Sequence, residues 1–277
     1  MENITKRFGK VTANNAVNLE LHEGEILSLL GENGSGKTTL MNMLSGIYFP
    51  DEGQIYIHGQ PVTIGSPKDA FAHGIGMIHQ HFKLVDIFTA TENIILGLEE
   101  SGRMNLPEAS RKVKEICDKY GFDIDPDQKI YDMSVSQKQT VEIVKVLYRG
   151  ADILILDEPT AGLDPKGRDR ILGQIQEYQQ QQKNTVLIVS HSMEDVAKFA
   201  KKVLVMNQSK VFMYDDTEKV FAHAAEIEQM GLAVPQVTRI FMRLSEMGYP
   251  VDPHTYTVQA AKKQVLDLFA AKEKEGR

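Results

Sequence analysis

Residues 31–38 read Gly31-Glu32-Asn33-Gly34-Ser35-Gly36-Lys37-Thr38. The spacing is G-x-x-x-x-G-K-[ST], that of a loop that cradles phosphate. Glycines at such positions let backbone N–H groups close around phosphate oxygens, because no Cβ stands in the way. A helix starting where the loop ends adds the positive end of its dipole. Gly31, Asn33, Gly34, Ser35, Gly36, Lys37, Thr38 and Thr39 are therefore candidate nucleotide-binding residues. Lys37 is expected to reach the β- and γ-phosphates, and Thr38 to hold Mg2+. The flanks agree with this reading. Residues 25–30 form a short, buried-type strand running in, and residues 37–44 a helix running out.

Outward from this loop, apolar runs of strand length alternate with helical patterns. Residues 17–21 (VNLEL), 54–58, 75–79, 153–156, 186–189 and 203–206 read as strands, with 54–58 expected to be antiparallel. Residues 165–180 and 193–200 read as helices. Buried strands that alternate with helices imply an α/β fold with a mostly parallel core sheet, covered on both faces. The stretch 84–150 has few strand signals but helical ones at 91–98, 107–120 and 136–149. It reads as a helical subdomain inserted between strands of the sheet. From about residue 217 the chain turns helical again. Val237, Ile240, Phe241, Leu244 and Met247 form one apolar stripe, and Val258, Ala261, Val265, Leu268 and Phe269 another. On periodicity alone these stripes serve equally for packing onto the parent domain or for dimerisation. The expected division is a main domain over 1–216 and a helical C-terminal extension over 217–277.

The chain has 277 residues, a little under two domains at roughly 150 residues each. Hydrophobic residues make up 42% and charged residues 25%, enough apolar surface to exclude disorder as the main state. The net charge of −7 argues against a nucleic-acid partner, which requires a basic face. A single cysteine, Cys117, permits no internal disulfide and suits a reducing compartment. The first ten residues, MENITKRFGK, lack the apolar core of a secretion signal. Every apolar run falls far short of the roughly 18 residues that span a bilayer. Any membrane role is therefore expected to be peripheral, through a partner.

A second motif is Ile153-Leu154-Ile155-Leu156-Asp157-Glu158, a buried strand ending in two carboxylates. Asp157 at the strand tip suits Mg2+ binding. Glu158 beside it suits orienting or deprotonating an attacking water. A guanine-reading Asn-Lys-x-Asp segment is absent. A small-molecule kinase remains open on the phosphate loop alone.

Further motifs follow in a fixed order. Gln80 follows the 75–79 strand. Met133-Ser134-Val135-Ser136-Gln137 lies just upstream of the Asp-Glu strand. Ala161-Gly162-Leu163-Asp164 follows it. Ser190-His191 ends a strand, and Phe8 lies near the start. Together they resemble the Q-loop, signature, D-loop, H-switch and adenine-stacking aromatic of ATP-binding cassette (ABC) ATPases. The resemblance covers residues 8–191. It implies a P-loop NTPase of ABC type with a mostly parallel core sheet, an antiparallel β part, an inserted helical subdomain and a helical C-terminal tail. It also implies a head-to-tail dimer of cassettes sandwiching ATP and Mg2+. Glu158, His191 and Gln80 are then catalytic, and Thr38, Gln80 and Asp157 hold Mg2+. Phe8 stacks on adenine, Ser134 acts on the partner's nucleotide in trans, and Asp164 lies at the dimer interface. Charge on the γ-phosphate must be cradled from both sides during transfer, which gives the trans arrangement its physical sense. The implied partners are a second ABC ATPase subunit and integral membrane transporter subunits, at the cytoplasmic face of the membrane. The implied activity is ATP hydrolysis coupled to import of a small solute. A soluble ABC ATPase acting on ribosomes or DNA and an inactive hybrid are the alternatives. His79 and His81 flank Gln80 but offer no third ligand for a metal.

Two departures stand out. Val135 and Ser136 occupy the places of the signature's two glycines. A side chain there holds backbone away from phosphate, and the damaged site belongs to the partner, so a heterodimer is favoured over a homodimer. The two halves also resemble different subfamilies. Residues 1 to about 155 are similar to the first cassette of nucleoside or simple-sugar importers. Residues from about 161 are similar to the energy-coupling factor (ECF) ATPases of vitamin importers, whose D-loop type AGLDP shares. Homologous chains also carry a few apolar residues before Glu2, so the first strand reads as clipped.

Overall fold

The computed structural model describes residues 1–80, 82–98 and 105–275. Its strands are β1 (Glu2–Phe8), β2 (Val11–Val17), β3 (Ile26–Gly31), β4 (Glu52–Ile57), β5 (Gln60–Val62), β6 (Ile75–Ile78), β7 (Ile153–Asp157), β8 (Thr185–Val189), β9 (Lys202–Asn207) and β10 (Lys210–Asp216). A six-stranded sheet runs β10-β9-β3-β8-β7-β6, and a four-stranded sheet runs β2-β1-β4-β5. In the larger sheet β6, β7, β8, β3 and β9 are parallel, and only β10 pairs antiparallel. The smaller sheet is antiparallel throughout.

The helices are α1 (Lys37–Leu44), α2 (Pro67–Ala72), α3 (Ala90–Ile95), α4 (Leu106–Tyr120), α5 (Val135–Tyr148), α6 (Pro165–Gln182), α7 (Met193–Phe199), α8 (Thr217–Ala222), α9 (Ala224–Gln229), α10 (Gln236–Glu246) and α11 (Val258–Glu275). The parallel strands are apolar on both faces, and alternate residues join different cores. Leu154, Leu156, Val186 and Ile188 pack with Val113, Val144 and Ile171 from α4, α5 and α6. Ile155, Leu187, Leu27 and Leu29 pack with Leu40 and Met41 of α1 and with Ile4 and Ile55 of the smaller sheet. A third cluster joins Leu30, Val203 and Val205 to Met193 and Val196 of α7 and to Val220, Phe221 and Ile227 of the C-terminal helices.

Helix α5 lies unusually close to β6. A Cβ built on Gly76 would stand 2.2 Å from Val146 Cγ1 and 2.9 Å from Ala151 Cβ. Glycine at that strand position therefore lets α5 seat directly on the strand that leads to Gln80.

The strand expected at 17–21 is not formed. β2 ends at Val17, and Leu19 instead exchanges backbone hydrogen bonds with Met1 at 2.9 and 3.0 Å. The VNLEL alternation marks inward packing of Leu19 and Leu21 on an extended segment outside the sheet. The helix expected at 91–98 is shorter, since Leu96 leaves helical backbone at ψ 122°. Met247 likewise lies one residue past α10 as its C-terminal flank. β2, β5 and β10 had no sequence signal. VTANNAV and KVFMYDD are half-solvated strands in which polar residues mask the alternation.

Candidate functional site

The site lies where the parallel strands end. β3 delivers Gly31, β7 delivers Asp157 and Glu158, β8 delivers Ser190 and His191, and β6 leads to Gln80. Crevices outside the carboxyl ends of parallel strands are the usual ligand sites of such sheets.

The phosphate loop is built where side chains are excluded. Gly31 has φ +151°, and a Cβ there would lie 2.5 Å from both Met206 O and Ser35 Oγ. Gly36 has φ +101°, and a Cβ would lie 2.1 Å from Ala13 O. α1 starts at Lys37, and no side chain caps it. Its first backbone N–H groups are thus available to an anion. Lys37 is buried, and its Nζ donates to Gly31 O at 2.7 Å and Glu32 O at 2.9 Å. Burial holds its pKa below the usual lysine value, and Glu158, Asp157 and Glu32 oppose that shift. Both of its hydrogen-bond partners are carbonyls of the loop itself. Ser35 Oγ is buried without a hydrogen-bond partner in the protein. Asn33 and Thr38 are exposed in or beside the loop, Thr39 is half-buried, and Gly34 has φ +83°.

Glu158 directly follows β7 at φ +51°, a left-handed conformation that costs a non-glycine residue about 1–3 kcal/mol. Its backbone N donates to Val189 O at 3.0 Å, which ties β7 to β8 at their tips. Its side chain is 13% exposed. Oε2 accepts from His191 N at 3.4 Å, and Oε1 stands 3.3 Å from His191 Nε2. Burial pushes the Glu158 pKa up to about 7, aided by the Asp157 and Asp195 charges and opposed by His191 N–H and Lys37. The His191 pKa is lowered, first by burial and then by Lys37, so the ring is mainly neutral at pH 7. Lys37, Asp157, Glu158 and His191 are thus one electrostatic unit.

The remaining expected residues have partners of their own outside that unit, or stand exposed. Phe8 ends β1, and its exposed ring meets Tyr48 edge-on at 5.2 Å with Lys6 over it. Gln80 is exposed just beyond β6. Ser134 caps α5, its Oγ accepting from Gln137 N at 3.3 Å while Gln137 Oε1 accepts from Ser134 N at 3.0 Å. Asp164 caps α6, accepting from Gly167 N at 2.8 Å. Val135 and Ser136 are the first residues of α5 and neither has positive φ, so no backbone strain arises at the positions expected for the signature's glycines. Val135 is exposed and lies beside Gly162.

Thr38, Asp157 and Gln80 offer hydroxyl, carboxylate and amide oxygens, the donors Mg2+ accepts. No cluster of three or more His, Cys, Asp or Glu side chains suited to a metal gathers among the described residues. A metal that completes its shell with phosphate oxygens fits this sparse donor set. His79 is half-buried and its pKa is lowered, mainly by burial; His81 lies outside the described residues.

Sequence reading missed three supporting residues. Asn14 is fully buried, and its Nδ2 donates to Gly36 O at 3.2 Å. Tyr48 braces Phe8. Thr160 Oγ1 donates to Asp195 Oδ2 at 3.1 Å beside Glu158. None of the three stands in a spacing or pattern that marks it in the sequence, since β2 itself shows no clear alternation around Asn14.

The ABC transporter family profile matches residues 14–161. A nucleoside import ATP-binding protein of Lactococcus lactis subsp. cremoris is 48% identical over 212 residues, covering 76% of this chain and 42% of its own length. The chain thus spans less than half of that relative. An energy-coupling factor transporter ATP-binding protein of Clostridium tetani is 36% identical over 279 aligned residues, covering 97% of this chain and 96% of its own. A dimeric ATP-binding cassette in a post-hydrolysis state with ADP and Pi superposes with TM-score 0.68 at 28% identity, covering 78% of this chain and 97% of that one. The phosphate loop, the Asp157–Glu158 strand end and these likenesses agree, and the chain belongs to the ABC transporter family.

Proposed function

We propose that this chain is the ATP-binding and ATP-hydrolysing subunit of an importer for a small solute, working in a cassette dimer beneath membrane subunits. The observation that carries it is the Glu158–His191 pair, facing the buried Lys37 at the mouth of an uncapped helix. The loop N–H groups and Lys37 bind the β- and γ-phosphates. Phe8, braced by Tyr48, stacks on adenine. Glu158 takes a proton from water as its oxygen bonds to the γ-phosphorus, and the bond from that phosphorus to the β,γ-bridging oxygen breaks. A base with pKa near the working pH combines enough ionised form with enough driving force. His191 holds the γ-phosphate and the Glu158 carboxyl in one arrangement. Thr38, Asp157 and Gln80 would hold Mg2+, which would supply positive charge to the transferring group.

Ser134 and the start of α5 serve the partner's nucleotide, and Asp164 lies at the cassette interface. Val135 and Ser136 weaken that contribution, which favours a partner with an unaltered signature. The C-terminal extension, 217–277, leaves Ile240, Met247, Leu266 and Phe269 exposed, a surface suited to dimerisation. Among the described residues no helix is long and apolar enough to cross a membrane; the proposed peripheral place at the cytoplasmic face rests on the likeness to importer ATP-binding subunits. Likeness to both a nucleoside import relative and an energy-coupling factor relative leaves two importer types open.

The test is to express the tagged chain in its source cells, solubilise membranes gently, and identify co-purifying proteins. A second short ATPase with small membrane subunits assigns the energy-coupling type. Two permeases with a lipoprotein receptor assign the nucleoside or sugar type. Recovery without any membrane protein contradicts the transport reading.

A further inference from the structure

The left-handed turn at Glu158 needs a restraint, because a glutamate does not hold φ +51° unaided. Two residues on, Thr160 is 4% exposed, and its hydroxyl donates to Asp195 Oδ2 at 3.1 Å. Asp195 stands in the first turn of α7, where its own N–H donates to Ser192 Oγ at 3.2 Å. His191 directly precedes that cap and returns to Glu158 through the 3.4 Å and 3.3 Å contacts. Residues 158–160 and 191–195 therefore form a closed ring, joined at both ends. Asp195 is half-buried, with its pKa raised by burial, and Arg168 of α6 and the hydroxyls of Thr160 and Ser192 are the groups that favour its charge. A helix cap alone does not require this carboxylate to reach a residue on another element.

Resting on the ATPase reading above, we infer that Asp195 is a positioning residue which, through Thr160, fixes the separation of Glu158 and His191. The Thr160–Asp195 bond closes the far side of the ring. Without it, Glu158 relaxes toward ordinary backbone geometry, and the two groups lose register with the γ-phosphate. Of the groups proposed to hold nucleotide, the phosphate loop, Lys37, the start of α1 and Phe8 lie outside the ring, which contains His191 alone, so most of the binding contacts do not depend on it.

The test compares Asp195→Ala, Asp195→Asn, Thr160→Val and Thr160→Ser in the full chain, all checked for cooperative unfolding. Steady-state ATP hydrolysis and the affinity for a fluorescent ATP analogue are measured on each. Asp195→Ala and Thr160→Val are expected to lower kcat about ten- to hundredfold, since small misplacements of reacting groups cost that much. KM and analogue affinity should stay within about twofold. Asp195→Asn keeps the acceptor and Thr160→Ser the donor, and each should recover most of kcat. Amide hydrogen exchange gives a readout independent of turnover. In Asp195→Ala it should speed up at 158–163 and 190–195 and stay unchanged in β3 and α1. Unchanged exchange at those segments, or equal kcat in the Ala and Asn variants, overturns the positioning role. If the parent chain shows no Glu158-dependent hydrolysis, the ATPase reading fails, while the exchange data still decide whether the ring exists.

Discussion

Glu158 meets opposed demands within one residue. In the proposed role it is buried to face the phosphate, ionised to act as a base, and turned left-handed where it leaves β7. Its pKa near 7, against an ordinary 4.5, measures the cost of the first two. An acid whose pKa rises on folding binds its proton more tightly in the native state. The native state is thus relatively favoured below about pH 4.5, and that advantage is lost as pH climbs to about 7. Two and a half pKa units correspond to about 3 kcal/mol at most. Glu158→Gln removes the buried charge and keeps the shape. In the absence of nucleotide and Mg2+ it should be more stable than the parent by about 1–3 kcal/mol at pH 8, and about equal at pH 4.5. Denaturant melts at both pH values check this; equal midpoints at pH 8 contradict the burial argument. At this scale the sequence was most readable where a role depends on neighbours along the chain. Gly31, Gly36 and Lys37 sit in one unbroken motif. The Thr160–Asp195 bond joins residues 35 apart on different elements, so spacing carried no trace of it.

Elements were legible in proportion to how strongly they are buried or capped. β3, β7 and β8 are buried at nearly every position, and their aliphatic runs stand out. α3 and α5 start with full capping boxes, Thr89 with Glu92 and Ser134 with Gln137. β2 carries a buried Asn14 beside an exposed Asn15, and β10 carries Asp215 and Asp216 on a half-solvated face, so no period of two survives. Val17-Asn18-Leu19 shows the converse error, since alternation reports which way side chains point and not whether a strand has a partner. The contact between β6 and α5 was invisible for a related reason: a glycine in a short strand does not name its neighbour. Gly76→Ala should push Val146 and Ala151 aside and destabilise the chain by about 1–3 kcal/mol. Urea unfolding tests it, and an unchanged midpoint would mean that α5 yields freely.

For the whole molecule, the C-terminal helices pack on α7 and β9 through Phe221, Ile227 and Val234, so they share a core with the helix that follows His191. That sharing and the exposed stripe on α10 answer the sequence ambiguity in part: Phe241 packs inward while Ile240 faces solvent. Ser134 and Asp164 cap α5 and α6, and in the proposed dimer they would serve the partner's nucleotide and the cassette interface. A homodimer carries Val135 and Ser136 at both trans positions. Ser136→Gly should therefore raise the turnover of the purified homodimer several-fold, and equal rates would remove the case for a preferred, unaltered partner.

The central claim is that this chain hydrolyses ATP with Glu158 as base. Phosphate release from MgATP, measured on the parent and on Glu158→Gln purified identically, tests it most directly. The account predicts a loss of at least about a hundredfold in the variant with nucleotide affinity retained. The same rate in both proteins would contradict it.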